Sequence, residues 1–275
     1  MNPDRSPSPI LRWREARAAE TAADLVVVEE PLEVRVRGRS VAVLMRTPGH
    51  DRELTAGFLF TEGILRRAED LLDLLPCREQ PRGEAGNVVE AVLAPGVAVD
   101  FERLTRPVFT SSSCGVCGTP PLDALFRTAP PLAPGPRLDP RALTAWPARI
   151  RGHQPLFAAT GGAHGCALLT PEGRIDWAHE DAGRHNAVDK AIGAALLAGA
   201  LPLSGHGLML SGRISFELVQ KALLAGVPVV AGIGAPSSLA IACARRAGLT
   251  LAGFVREDRF NVYAGAERLG LEAPA

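Results

Sequence analysis

The chain has 275 residues, 47% hydrophobic and 22% charged, enough apolar surface for a core in one large domain or two small ones. Its 30 basic and 30 acidic residues cancel to zero formal charge, which argues against a nucleic acid partner held by counterion release. No apolar run reaches the roughly 20 residues that span a bilayer, and Met1 to Arg17 has no apolar signal core; no membrane and a cytoplasmic location are expected.

In chain order, residues 1–23 read as a flexible arm. Residues 24–128 read as a β-rich N-terminal part, with Leu25 to Val28 followed by alternation at Leu32, Val34, Val36 and at Val41, Val43, Met45. Asp51 to Leu65 carries Leu54, Phe58 and Leu59 at helical spacing, residues 76–86 read as a loop, and 87–93 with 97–101 read as a hairpin. Residues 129–153 are a proline-rich linker and helix, and 154–275 form an α/β part. There, strands at 165–170, 174–179, 206–210, 227–231 and 249–255 alternate with helices at 187–199, 215–225 and 238–247, a pattern that predicts a largely parallel sheet covered on both faces.

Cys114 and Cys117 lie in Ser112-Ser113-Cys114-Gly115-Val116-Cys117-Gly118, a loop of hydroxyls and glycines. The second thiol and nearby backbone N–H groups can stabilise the first as a thiolate, the form that attacks sulfur or binds metal. Three readings stand: a zinc half-site completed by His164 and Cys166, a thioredoxin-like pair, and a nucleophile loop that accepts and passes on sulfur. The glycines and hydroxyls fit the last best. Cys77 and Cys243 read as dispensable, Cys243 as a small hydrophobe on an apolar helix.

Ligands of parallel sheets bind beyond the carboxyl ends of the strands. Three turns there, Glu180 to Asn186, Ser211 to Ser215 and Gly232 to Ser237, each supply glycine and a polar cap (Asn186, Ser215, Ser237), and the first two add Arg184 and Arg213. Helix N-termini beside arginines attract anions, so together they suggest a polyphosphate crevice. His185 sits beside Arg184 in this setting. His164 in Thr160-Gly161-Gly162-Ala163-His164-Gly165-Cys166 reads as structural or as a contact of something approaching closely, and Asp189 and Lys190 read as a polar helix face or as site residues.

The chain resembles the FdhD family of sulfurtransferases that mature formate dehydrogenase. The resemblance is carried by the Cys114 motif, by the His164 motif, by Asp181-Ala182-Gly183-Arg184-His185-Asn186-Ala187-Val188-Asp189-Lys190, by Ser211-Gly212-Arg213, Val219-Gln220-Lys221 and Asn261-Val262-Tyr263. It implies a cytidine deaminase-like three-layer C-terminal part and a homodimer. It also implies that sulfur from a cysteine desulfurase is held as a persulfide on Cys114, with Cys117 assisting or sharing it. The acceptor it implies is the molybdenum cofactor, as bis(molybdopterin guanine dinucleotide), bound as a client before insertion into formate dehydrogenase. The pyrophosphates and guanine nucleotides of that cofactor fit Gly183, Arg184, His185, Asn186, Lys190, Ser211, Gly212, Arg213 and His164. The family's cofactor segment maps to Phe254, Val255, Arg256, Glu257, Asp258 and Arg259. No catalytic metal is expected: zinc deaminases use H-x-E before P-C-x-x-C, whereas here the order is reversed and Cys166 stands where the glutamate would be. A cofactor-holding chaperone without sulfur chemistry and a zinc-binding module are the other readings.

Overall fold

The computed structural model describes residues 3–15, 19–77, 87–101, 132 and 135–272. Cys114 and Cys117, most of the expected loop at 76–86 and much of the proline-rich linker lie outside the described residues.

The N-terminal part begins with β1 (Arg5–Arg12) and β2 (Glu20–Val27), an antiparallel ribbon that replaces the expected flexible arm. Side-chain alternation there is weak, which is why the sequence does not announce it. β3 (Glu30–Val36) and β4 (Arg39–Arg46) form a hairpin around Arg37 and Gly38, both at positive φ (54° and 71°), the backbone a two-residue turn needs. α1 (Asp51–Thr61) follows, with Asp51 and Glu53 in its first turn, where carboxylates suit the positive end of the helix dipole. β5 (Leu71–Pro76) and β6 (Val88–Leu93) complete a four-stranded sheet ordered β4-β3-β6-β5. The expected hairpin partner of β6 at 97–101 is not a strand; β5 takes that place, and β3 pairs with β6 in parallel on its other side.

The C-terminal part contains α2 (Pro140–Arg151), α3 (Pro155–Thr160), β7 (His164–Leu169), β8 (Ile175–Asp181), α4 (Arg184–Leu197), β9 (Gly207–Leu210), α5 (Phe216–Leu224), β10 (Val229–Gly232), α6 (Ser238–Ala247), β11 (Thr250–Gly253) and β12 (Asn261–Ala264). The sheet order is β12-β11-β10-β9-β7-β8. The expectation of a largely parallel sheet is corrected: β9, β10 and β11 are mutually parallel, whereas β7 runs antiparallel to both neighbours and β12 antiparallel to β11. The short β7–β8 connection makes a hairpin; α4 then crosses from β8 to β9 on the other side of β7, so β8 and β9 share a direction without being neighbours, and the later helix crossovers set β9, β10 and β11 side by side in parallel.

Alternating residues of each strand divide between two cores. Leu208, Leu210, Val230 and Leu251 pack with α1, α4, α5 and α6, while Met209, Val229, Ala231 and Ala252 pack with Leu143, Trp146 and Ile150 of α2. The first core continues into the N-terminal sheet through Leu32, Val34 and Val36, because α1 lies between that sheet and α4. Gly57 and Gly193 set this crossing: a Cβ on Gly57 would overlap the Asp189 carbonyl, and one on Gly193 the Glu53 carbonyl. Among the described residues no helix is long and apolar enough to cross a membrane.

Register gathers the functional motifs at one end. His164 faces Asp181 across β7–β8, and Cys166 faces Leu210 across β7–β9, so the start of β7 meets the carboxyl ends of β8 and β9.

A candidate anion-binding rim

The rim is built from stacked turns. Gly165 N–H donates to Ser211 Oγ and Ser211 N–H to the Gly165 carbonyl, both at 2.9 Å, which ties the start of β7 to the turn after β9. Gly234 N–H donates to the Gly212 carbonyl at 3.0 Å, Ile214 N–H to Ala235 O at 3.0 Å, and Phe254 N–H to Gly234 O at 3.2 Å. Gly234 must be glycine, since a Cβ would come within 2.8 Å of the Gly212 carbonyl carbon and the Arg213 nitrogen. Of the three expected cap residues, Ser237 alone caps its helix through the side chain, its Oγ accepting from Ala240 N–H at 3.2 Å. α4 starts three residues earlier than the sequence suggests, with Gly183 as N-cap, so Asn186 lies inside its first turn.

The α4 motif splits between two duties. Asp181, Asn186, Asp189 and Lys190 are consumed by the scaffold. The Lys190 ammonium pairs with fully buried Asp181 at 2.8 Å and donates to Thr47 O at 3.0 Å, while Asp181 also accepts from Thr47 N at 3.1 Å and Gly183 N at 2.8 Å. Asn186 Nδ2 donates to Met45 O at 2.7 Å and to Asp181 Oδ1 at 3.0 Å. Asp189 accepts from Lys221 at 2.8 and 2.9 Å and from Thr61 Oγ1 at 2.8 Å; burial raises its carboxyl pKa, and Lys221 and Thr61 oppose that rise.

Arg184 and His185 instead meet at the rim with His164 and Arg213. The Arg184 Nε is buried and has no hydrogen-bond partner among the described residues. Burial and then Arg213 lower the Arg184 pKa, with Glu217 opposing. His164 stands over Gly212, where a Cβ would lie 3.3 Å from its Nδ1, and its pKa is lowered by burial and then by Arg184 and Arg213, against Asp181. His185 is pushed down to about 4, first by burial, then by Lys221 and Arg184, with Glu217 pulling the other way. Its Nε2 lies 3.4 Å from Ser215 Oγ and 3.9 Å from Glu217 Oε2. Two guanidinium groups set together with two uncharged imidazoles favour a bound anion.

Beyond the turn after β10 lies a hollow of about 340 Å³ lined by Phe254, Arg256, Arg259 and Asn261. Phe254 is left-handed (φ 53°) and 43% exposed, an unusual state for a bulky residue. Arg256 is fixed through Nη1 to the Ile233 and Val255 carbonyls at 2.9 and 2.8 Å. Of the remaining expected residues here, Val255 is core, Asp258 pairs with Arg259 at 3.1 Å, and Glu257 reaches Arg151 at 3.9 Å on the surface.

Cys166 and Cys243 are interior. The Cys166 thiol donates to Ala187 O at 3.0 Å and burial raises its pKa; burial pushes Cys243 up to about 11. Cys166 is therefore not presented, with His164, as the second half of a zinc site. Glu217, 3.9 Å from His185, carries no signal in the sequence because it is a lone glutamate in an amphipathic helix, whereas Lys221 stands out in Val219-Gln220-Lys221 without showing its role.

A profile of the FdhD/NarQ family matches residues 27–270. The chain belongs to that family. Relatives named sulfur carrier protein FdhD include one from Streptomyces avermitilis, 47% identical over 97% of this chain and 96% of the relative. One from Streptomyces coelicolor is 48% identical (96% and 95%), and one from Mycobacterium tuberculosis 46% identical (94% and 96%). A crystal structure from Desulfotalea psychrophila, described as a formate dehydrogenase accessory protein, is similar with a TM-score of 0.75 and 27% identity, covering 97% of this chain and all of that one.

Proposed function

We propose that this chain is a cytoplasmic, homodimeric sulfur carrier that takes persulfide sulfur from a cysteine desulfurase and passes it to the molybdenum cofactor destined for formate dehydrogenase. The observation that carries the reading is similarity along nearly the whole chain to proteins named sulfur carriers, at 47% identity for the Streptomyces avermitilis relative. In this reading the Cys114 thiolate attacks the outer sulfur of the desulfurase persulfide, the sulfur–sulfur bond breaks, and the desulfurase cysteine leaves as thiolate while Cys114 carries the new persulfide. Cys117 assists or shares that sulfur.

The acceptor, bis(molybdopterin guanine dinucleotide), is a substrate here. The rim supports this part of the reading, since Arg184, Arg213 and the first turn of α4 suit pyrophosphate oxygens and the hollow beside Phe254 offers an aromatic face to a guanine. Gly183, Ser211 and Gly212 keep backbone close to that ligand, while Asn186 and Lys190 act behind it by fixing the α4 start. The strand order, with an antiparallel first pair and crossover helices afterwards, is compatible with a cytidine deaminase-like ancestry.

Intact mass after incubation with a cysteine desulfurase and cysteine tests the carrier role. The parent should gain reductant-sensitive additions of one sulfur, and Cys114→Ala should lose them and fail to activate formate dehydrogenase while remaining folded. No addition on the parent, with cofactor still bound, would leave a cofactor-holding chaperone instead.

A further inference from the structure

We infer that Arg184, Arg213, His164 and His185 form an oxyanion-binding site whose occupation is coupled to proton uptake by the two histidines. The inference deepens the proposed reading of this rim, and rests on that reading only for which oxyanion arrives in the cell.

The charge balance around the histidines carries it. The groups facing them are Arg184 on α4, Lys221 and Glu217 on α5, Arg213 in the turn before α5, Asp181 at the end of β8, and each other. Asp181 is paired with Lys190, and Lys221 with Asp189, both at 2.8 Å, so each pair is neutral overall, although the Lys221 ammonium still opposes charge on His185. The unpaired balance among the described residues is two guanidinium groups against the Glu217 carboxylate, which lies 3.9 Å from His185. A second positive charge on either imidazole adds to that excess and is disfavoured while the site is empty. The buried Arg184 Nε, without a partner among the described residues, is a donor already desolvated at the same place, and such a donor is costly unless something accepts from it. α4, 14 residues long, opens on Gly183 with no side-chain cap among the described residues, and the positive end of its dipole favours an anion at that end.

A doubly charged oxyanion reverses the balance. The local excess turns negative, burial no longer opposes a charged imidazole alone, and protonating His185 or His164 becomes favourable. By linkage, a ligand that raises a group's pKa binds more tightly below that raised pKa, and its affinity climbs towards about tenfold per pH unit between the raised and the empty-site value.

Sulfate is the probe, because it keeps two charges across the range and needs neither persulfide nor cofactor. In the full chain with labelled histidines, ring signals are followed from pH 4 to pH 8 with and without saturating sulfate, assigned by His185→Gln and His164→Gln. The expected result is a midpoint for His185 that moves upward by about one pH unit or more, with sulfate affinity rising about twofold from pH 7 to pH 5 for a one-unit shift and more for a larger one. Arg213→Gln, at an exposed position, and Arg184→Gln should each weaken sulfate by about tenfold with an unchanged circular dichroism spectrum. Absence of sulfate binding, histidine midpoints that ignore sulfate, or parent-like affinity in both arginine variants would overturn the inference. Failure of sulfur loading onto Cys114 would leave it standing, so the two readings fail separately.

Discussion

Lys221 and Asp189 show how far a side chain's duty depends on what folds against it. Both are buried, and the ammonium spends its donors on the carboxylate and on Thr61. Lys221→Met would strand a buried carboxylate, so chemical denaturation should report a loss of about 3 to 5 kcal/mol, partly recovered in the Lys221→Met, Asp189→Asn double variant. Histidines give a pH signature. His179, beside the His50 ring at 4.6 Å, is pushed down to about 4 by burial and then by His50, and His185 sits at a similar value. Because their unfolded pKa is near 6.5, the unfolded chain binds these protons first; stability is full above that pH and falls as pH drops from about 6.5 to about 4. Thermal melts across that window should show the fall, and His179→Gln should flatten it. Glu53, held at about 2 chiefly by its hydrogen bond to His50, adds a further loss below its unfolded value of 4.5 as pH falls towards 2.

At the scale of elements, periodicity located helices and strands well where one face is buried. The expected helix at 238–247 matches α6 residue for residue, and the strand expected at 206–210 differs from β9 by one. Failures have local causes. β12 has the length of β9 but is partly exposed, so it lacks the continuous apolar run that marks a buried strand. The sequence places the start of α4 three residues late, because Gly183 caps it without a side-chain signal and the polar Asn186 resembles a cap. The Gly57–Gly193 crossing was invisible, since a glycine inside a helix reads as a weakness until the opposing backbone is known. Gly57→Ala or Gly193→Ala should each destabilise by about 3 kcal/mol, at the upper end of overpacking because backbone stands on both sides. The double variant should cost less than the sum, because both disturb one contact. Melting temperatures of the three variants check this.

In the whole molecule, one core runs from Leu32 on β3 to Ala264 on β12, across the boundary that composition suggests near residue 154. A fragment of residues 154–275 would expose the α4 face that α1 covers, so it should fail to give a cooperative melt, whereas the full chain should unfold in a single transition. Two separated transitions, or a folded fragment, would contradict the shared core. Native thiol labelling should likewise spare Cys166 and Cys243, and both should react after denaturation.

The sequence by itself determined the family, the α/β alternation of the second half, the CxxC pair and the motifs that end up at the rim, because these rest on residue type and spacing along the chain. Tertiary structure alone decided which motif residues the scaffold consumes and which it leaves at the rim. Asn186 and Lys190 carry the same polar signal as Arg184 and His185, yet Met45, Thr47 and Asp181 claim the first pair and leave the second at the rim. That division depends on contacts more than 130 residues apart in the chain, which no local pattern encodes.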